Sequence, residues 1–258
     1  MAKTCQGITV HAASFAHQRS PAFYAALSDE GKTGEGWGTN KAADRIRLAA
    51  LLWEHVAARE NPPWQYRSLC AAFPLQVAHG PLGRPHLLLG GVRGPSLSFS
   101  EGDGKTWAAL SGDASDIGID VAAADQFQGK YPLHRVFHDQ ELHHALRLTG
   151  GDVTQASALL WSVKEAVVKA LGCGFHLVAP LQVHVSPPVA GDRGFTFPVY
   201  LSGKALLRYP MAAGRSIRVR SFPRGKMWLA IALLSGHSRC GKDEDVQINA
   251  LPRQNVDS

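Results

Sequence analysis

Two short stretches of this chain recur in the same order. Ala50-Leu51-Leu52-Trp53 returns as Ala158-Leu159-Leu160-Trp161, 108 residues on. Gly104-Lys105-Thr106-Trp107 returns as Gly225-Lys226-Met227-Trp228, 121 residues on. One tetrapeptide match arises readily by chance. Two in the same order, at similar offsets, point to a duplicated helix-plus-hairpin unit. The predicted fold class is therefore α+β: two similar helix-plus-antiparallel-sheet lobes within one chain, a pseudo-dimer. The expected division is an N-terminal lobe over 1–115, a C-terminal lobe over 116–237, and a polar tail over 238–258.

Local patterns fill in the elements. Ile46, Leu48, Ala49, Leu52, Trp53 and Val56 recur at near-helical spacing and predict a helix over 41–60, ended by Asn61-Pro62-Pro63. Residues 154–171 form the best helical segment, with Gly172 and Gly174 in its C-cap region, and 139–148 reads as a further helix. Residues 80–94, rich in Gly and Pro, read as loop around one apolar run, Leu87-Leu88-Leu89. Residues 96–110 read as a hairpin turning at Gly102-Asp103-Gly104, and 117–121 as a short buried strand. Residues 195–201 and 216–234 are strand-like, the latter turning at Pro223-Arg224-Gly225.

No apolar run approaches the roughly 20 residues of a membrane span, and the start lacks the apolar core of a secretory signal. The reading is a cytoplasmic, non-membrane protein. Cys5, Cys70, Cys173 and Cys240 form no C-x-x-C and read as free thiols of a reducing compartment. The formal net charge of +6 favours an anionic partner. No dense Lys/Arg block with interleaved aromatics marks a nucleic-acid surface, so a phosphate-rich nucleotide or an acidic protein fits better.

The chemistry lies in two segments. Asp120 ends the run Ile117-Gly118-Ile119, where a carboxylate serves as a ligand or catalytic group, or caps a turn. Forty-five residues later, Trp161, Glu165 and Lys169 follow at i, i+4 and i+8 on one face of a helix, beside the apolar stripe. The ordinary reading of such a Glu–Lys pair is a solvated ion pair worth about 0.2–0.5 kcal/mol. If the fold brings Asp120 and Glu165 together, two hard oxygen ligands suit magnesium. Residues 26–33 match a degenerate phosphate loop lacking its first glycine, after an Ala-rich stretch that reads as helical. His134 and His138 have metal-like spacing without an evident third ligand, and His143-His144 read as a wet helix face.

Ile117-Gly118-Ile119-Asp120, followed by Trp161-Ser162-Val163-Lys164-Glu165 and Lys169, resembles the signature of the 4′-phosphopantetheinyl transferases. By chain length the closer likeness is to the long, surfactin-synthetase-activating type. Arg135 to Leu142 resembles a further family stretch, Gly83-Arg84-Pro85 its G-[KR]-P element, and Ser98-Phe99-Ser100-Glu101 its N-x-S-H element. The resemblance implies an active site in the seam between the lobes and transfer of the 4′-phosphopantetheine arm of coenzyme A to a serine of an acidic acyl or peptidyl carrier protein. It implies magnesium on Asp120 and Glu165, catalysis by these two with Lys169, and coenzyme A contacts from Arg45, Arg84, Ser100, Lys164 and Lys169, in a monomer.

Two positions depart from the pattern. Ala122 stands where the family often has a second carboxylate, and Glu101 where it has histidine. Alternation along a strand points i and i+2 to one side, so a carboxylate at 122 would have reached the same ion. One expectation is that Glu101 partly replaces the missing ligand, directly or through a magnesium-bound water; the other is that it turns to solvent at the Gly102-Asp103-Gly104 turn. The alternative function is a non-catalytic relative that binds carrier protein or coenzyme A without transfer.

Overall fold

The computed structural model describes residues 4–5, 8–15, 22–28, 41–58, 75–112, 115–129, 132–191, 193–213 and 217–234. The polar segment 238–258, the Asn61-Pro62-Pro63 stop and Cys5's side chain lie outside the described residues, as do Cys70 and Cys240. Among the described residues, no helix is long and apolar enough to cross a membrane.

Two six-stranded antiparallel sheets form the framework, beside a small pairing of β1 (Thr4–Cys5) with β2 (Ile8–Thr9). The first contains β3 (His11–Ala13), β4 (Ala22–Ser28), β5 (Leu75–His79), β6 (Pro85–Leu89), β7 (Val92–Gly102) and β8 (Lys105–Ser111), in the order β3-β4-β8-β7-β6-β5. The second contains β9 (Asp116–Ala123), β10 (Val183–Val185), β12 (Gly194–Leu201), β13 (Ile217–Arg224) and β14 (Met227–Leu234), in the order β9-β14-β13-β12-β10, with β11 (Val189–Gly191) on β12. Helix α1 (Lys41–Ala57) follows β4 and covers the first sheet. Helices α2 (Asp139–Leu148) and α3 (Val153–Leu171) follow β9, and α3 covers the second; a short α4 (Gly203–Arg208) follows β12.

The duplication is plain in the order of strands. β4-β8-β7-β6-β5 and β9-β14-β13-β12-β10 are the same path, each with its helix inserted after the first strand. The chain is a pseudo-dimer of two similar lobes. The hairpin echo does not survive in detail. Trp107 faces the other lobe, whereas Trp228 faces α3, because Trp107 is the third residue of its strand and Trp228 the second. One residue of slip reverses the face.

Alternation sorts the core into three parts. Leu48, Leu52 and Trp53 of α1 pack on Phe23, Leu97, Phe99 and Leu110. Leu159, Val163, Ala166 and Val167 of α3 pack with Ala122, Ala230 and Ala232. Between the sheets, Tyr24, Trp107 and Ala109 meet Ile117, Ile119, Val121, Leu229 and Ile231. The layers are therefore helix, sheet, sheet, helix.

Residues 80–84 and 90–91 are loop and turn, as the composition reads, but 85–89 and 92–94 are strand. Leu87-Leu88-Leu89 belongs to β6, and the glycines shape the ends of strands: Gly90 and Gly91, at φ 59° and 80°, make the tight turn into β7. The β7–β8 turn at Asp103-Gly104 has the same two-positive-φ form, at 56° and 59°. The Ala-rich stretch before residue 29 is strand β4, not helix. Ala26, Leu27 and Ser28 pair with Trp107, Thr106 and Lys105, so the front of the degenerate phosphate loop is occupied by ladder pairing.

Strand β9 continues past Asp120 to Ala123, so that carboxylate sits in mid-strand, opposite Ala230. One edge of β9 pairs with β14. On its other edge, the amides of Ile117, Ile119 and Val121 donate to the hydroxyls of Ser96, Ser98 and Ser100 on β7, at 3.1, 3.1 and 3.2 Å. Gly118 faces α3 at very close range. A Cβ there would lie 1.9 Å from the Ala166 carbonyl oxygen and 2.6 Å from the Ala170 nitrogen. Both are rigid backbone atoms. Gly118→Ala is expected to cost about 3 kcal/mol or more, read as a lower urea midpoint with an unchanged m-value.

Candidate functional site

Helix α3 carries one half of the site. Asp152 caps its start, accepting from the amides of Thr154 and Gln155 at 2.9 and 3.1 Å. Gly172, at φ 79°, ends it in the left-handed conformation. Its apolar residues are almost wholly buried. Glu165 and Lys169 lie one turn apart at the margin of that face, beside β9, where Gly118 admits the helix backbone.

The fold brings Asp120, Glu165 and Lys169 together. Lys169 Nζ donates to Asp120 Oδ1 at 2.7 Å, and Ser100 Oγ donates to the same oxygen at 3.0 Å. Asp120 is 6 % exposed. Burial, reinforced by the Asp120 charge and opposed by Lys169, pushes the Glu165 carboxyl up from 4.5 to about 7. A carboxyl so displaced marks a site arranged for chemistry or for a cation. Two carboxylates with a residual lack of positive charge fit a hard divalent ion, and water can complete its shell. Ala122 lies on the same face, 1 % exposed, and fills the position with a methyl group in the α3 core.

Glu101 takes no part in this cluster, which corrects the expectation that it replaces a ligand. Ser100 faces Asp120, so its neighbour on the strand faces the other way. Glu101 accepts from Lys41 at 2.6 Å and from Arg45 at 2.9 Å. The Lys41 hydrogen bond, with the charges of both cations, holds its carboxyl below the usual range. Arg45 also lies over the Phe99 ring, 5.6 Å from its centre. Arg84 is bonded to Asp116 and, at 3.3 Å, to Ser96 Oγ, and it packs against Gly172, where a Cβ would fall 2.7 Å from Arg84 Cδ.

Lys164 is likewise corrected. It is 0 % exposed and points away from Asp120, so it contacts no ligand there. Its ammonium meets Glu141 at 2.8 Å and donates to the carbonyls of Val136 and Pro180, both at 3.0 Å. Glu141 also accepts from the amides of His138 and Val185. This buried pair ties α3 to the start of α2 and to β10. Removing one partner leaves the other as an uncompensated buried charge.

His138, Glu141 and His184 bring one ligand atom each within 4.8 Å of one another, a cluster capable of coordinating a metal ion. It joins His138 to Glu141 and His184, not to His134, and no spacing in the sequence marks it. Its present contacts are those of a packed structure. The two imidazoles stack at 4.5 Å and 11°, so their in-plane lone pairs run side by side, and Glu141 is held by Lys164 and two amides. An ion there would require the rings to turn. His143 and His144 are edge-to-face neighbours on α2.

Two stability outcomes follow from these environments. Lys164→Ala is expected to lower unfolding free energy by about 3–5 kcal/mol, because Glu141 loses its counter-ion; chemical denaturation measures it. Glu165→Gln is expected to stabilise the metal-free protein at pH 8. Between about pH 4.5 and 7 the folded chain keeps a proton that the unfolded chain has lost, so ionised Glu165 opposes folding above pH 7. Melting temperatures of the two proteins should converge below pH 4.5.

No curated protein sequence matches this chain. Residues 116–204, from the start of β9 into α4, match the family model for the 4′-phosphopantetheinyl transferase superfamily, ACPS. That segment contains Asp120, Glu165, Lys169, Glu141 and Lys164. Over residues 116–204 the chain carries a 4′-phosphopantetheinyl transferase superfamily domain, set within a two-lobed α+β architecture.

Proposed function

We propose that the protein transfers the 4′-phosphopantetheine arm of coenzyme A to a serine of an acidic carrier protein, as a magnesium-dependent, monomeric enzyme of the long, surfactin-synthetase-activating type. The observation that carries this reading is the convergence of Asp120, Glu165 and Lys169, with Glu165 displaced to about 7, inside the matched segment. The lobe division near residue 115, with the site in the seam, is part of the same proposal.

The serine oxygen bonds to the β-phosphorus of coenzyme A, the phosphoanhydride bond breaks, and adenosine 3′,5′-bisphosphate leaves. Glu165 takes the serine proton. Its pKa near neutrality suits a base that must be ionised at working pH yet hold a proton afterwards. Lys169, partly exposed beside Asp120, stabilises charge on the leaving phosphate. In this reading Arg84 and Arg45 would hold the 3′-phosphate end of coenzyme A, each giving up its present carboxylate partner, Asp116 and Glu101. Bound at Asp120 and Glu165, magnesium would neutralise diphosphate charge. The positive net charge of the chain steers an acidic carrier toward it.

The ion pairs that occupy Arg45 and Arg84, with Ala122 in place of a carboxylate, favour the second reading: a relative that binds without transfer. Mass spectrometry of an apo carrier protein incubated with coenzyme A, magnesium and this chain separates the two. The expected result is a gain of the arm's mass, lost on Asp120→Ala and reduced at least about 100-fold on Glu165→Ala. No gain with any acyl or peptidyl carrier, alongside measurable coenzyme A binding, would establish the binding-only reading.

A further inference from the structure

We propose that Ser100 is a positioning residue that holds Asp120 across the seam so that one carboxylate oxygen alone is presented to a divalent ion. This rests on the functional reading above and changes the role of Ser100 from a coenzyme A contact to a support for the ion site. The geometry is specific. The Val121 amide donates to Ser100 Oγ at 3.2 Å, so one lone pair of that oxygen is committed as an acceptor. The hydroxyl's single proton is then directed at Asp120 Oδ1, 3.0 Å away. Lys169 Nζ donates to the same Oδ1 at 2.7 Å. Two donors thus fill Oδ1, and Oδ2 has no partner among the described residues.

The support comes from the other lobe. Ser100 is on β7, Asp120 on β9, and Ser100 is 7 % exposed. A hydroxyl fixed by one backbone amide and buried between strands has little freedom to release the carboxylate. Turning Asp120 to offer both oxygens to one ion would break the Ser100 and Lys169 bonds together. Asp120 would therefore offer an ion Oδ2 alone. Loss of a partner that fixes a ligand's orientation typically costs about 10–100-fold in metal affinity.

Ser98 supplies the control. Its hydroxyl accepts from the Ile119 amide at 3.1 Å, one step along the same row, and makes no contact with Asp120. Ser98→Ala and Ser100→Ala each remove one hydroxyl clamp from the seam. The experiment titrates the full-length proteins with Mn2+, a paramagnetic stand-in for magnesium, and follows free ion by electron paramagnetic resonance without coenzyme A. Ser100→Ala is expected to weaken Mn2+ binding by about 10–100-fold, while Ser98→Ala binds like the unsubstituted protein. Unfolding midpoints measured alongside should fall by similar amounts in both variants. Equal Mn2+ affinity in all three proteins, or equal loss in both variants, overturns the assignment while leaving the transfer reaction standing. Failure of the unsubstituted protein to bind Mn2+ overturns it together with the ion's place in that reaction.

Discussion

The seam between the lobes depends on how β9 satisfies its free edge. A strand buried between two sheets needs partners for amides on both sides, since an unpaired buried amide costs about 1–3 kcal/mol. β14 supplies one side. On the other, three alternate serines of β7 accept what another strand would have accepted. Serine suits this because a hydroxyl reaches an amide without the full width of a backbone ladder. The free edge of β9 thereby meets the face of β7, an interior strand of the first sheet, through side chains, beside the Ile117, Ile119 and Val121 core. A hydroxyl also keeps a proton to give away, which a backbone carbonyl does not, and Ser100 gives it to Asp120.

The pseudo-symmetry is chemically unequal. Across the corresponding contact, β13 meets the β3–β4 region through large side chains. Arg220 donates to the Ser14 carbonyl at 2.8 Å, Arg224 donates to the Tyr24 hydroxyl at 3.1 Å, and Tyr24 stacks with Phe222. That side of the seam is filled. On the β7–β9 side, small hydroxyls and the missing Cβ of Gly118 let α3 settle onto β9 and bring Glu165 and Lys169 beside Asp120. Duplication made two equivalent seams, and residue size determines which one carries the carboxylates.

The architecture was legible from the helix pattern, the hairpins and the idea of duplication, because periodicity reports which face is buried. The Asp120, Glu165 and Lys169 set was legible from motif resemblance, and its geometry brings those residues together. What failed did so for reasons of facing. Glu101 and Lys164 each neighbour a site residue in sequence, yet a strand reverses direction with every residue and a helix turns about 100°. One therefore meets α1 and the other enters a buried ion pair with Glu141. The region 80–94 misled because its glycines signal turns truly but hide short strands between them. The serine row was written plainly at 96, 98 and 100, but its meaning required knowing that β9 runs alongside.

Charge around the site shows a common design. Arg45 and Lys41 hold Glu101, Arg84 holds Asp116, and Lys169 holds Asp120. Each of these cations is already paired with a carboxylate, so the fold does not confront a cluster of like charges. Under the proposed reaction, incoming phosphate competes with these carboxylates. The exchange is least costly where the displaced carboxylate can turn to water, as Glu101 can at the surface. It is most costly for Lys169, whose partner Asp120 is buried and would be left short of a cation. An arriving divalent ion relieves that cost by taking over Asp120. Anion binding by Lys169 is thus costly until the ion has taken over Asp120, whereas the ion can bind the carboxylates first, which makes the order ion before coenzyme A the expected consequence of burying Asp120.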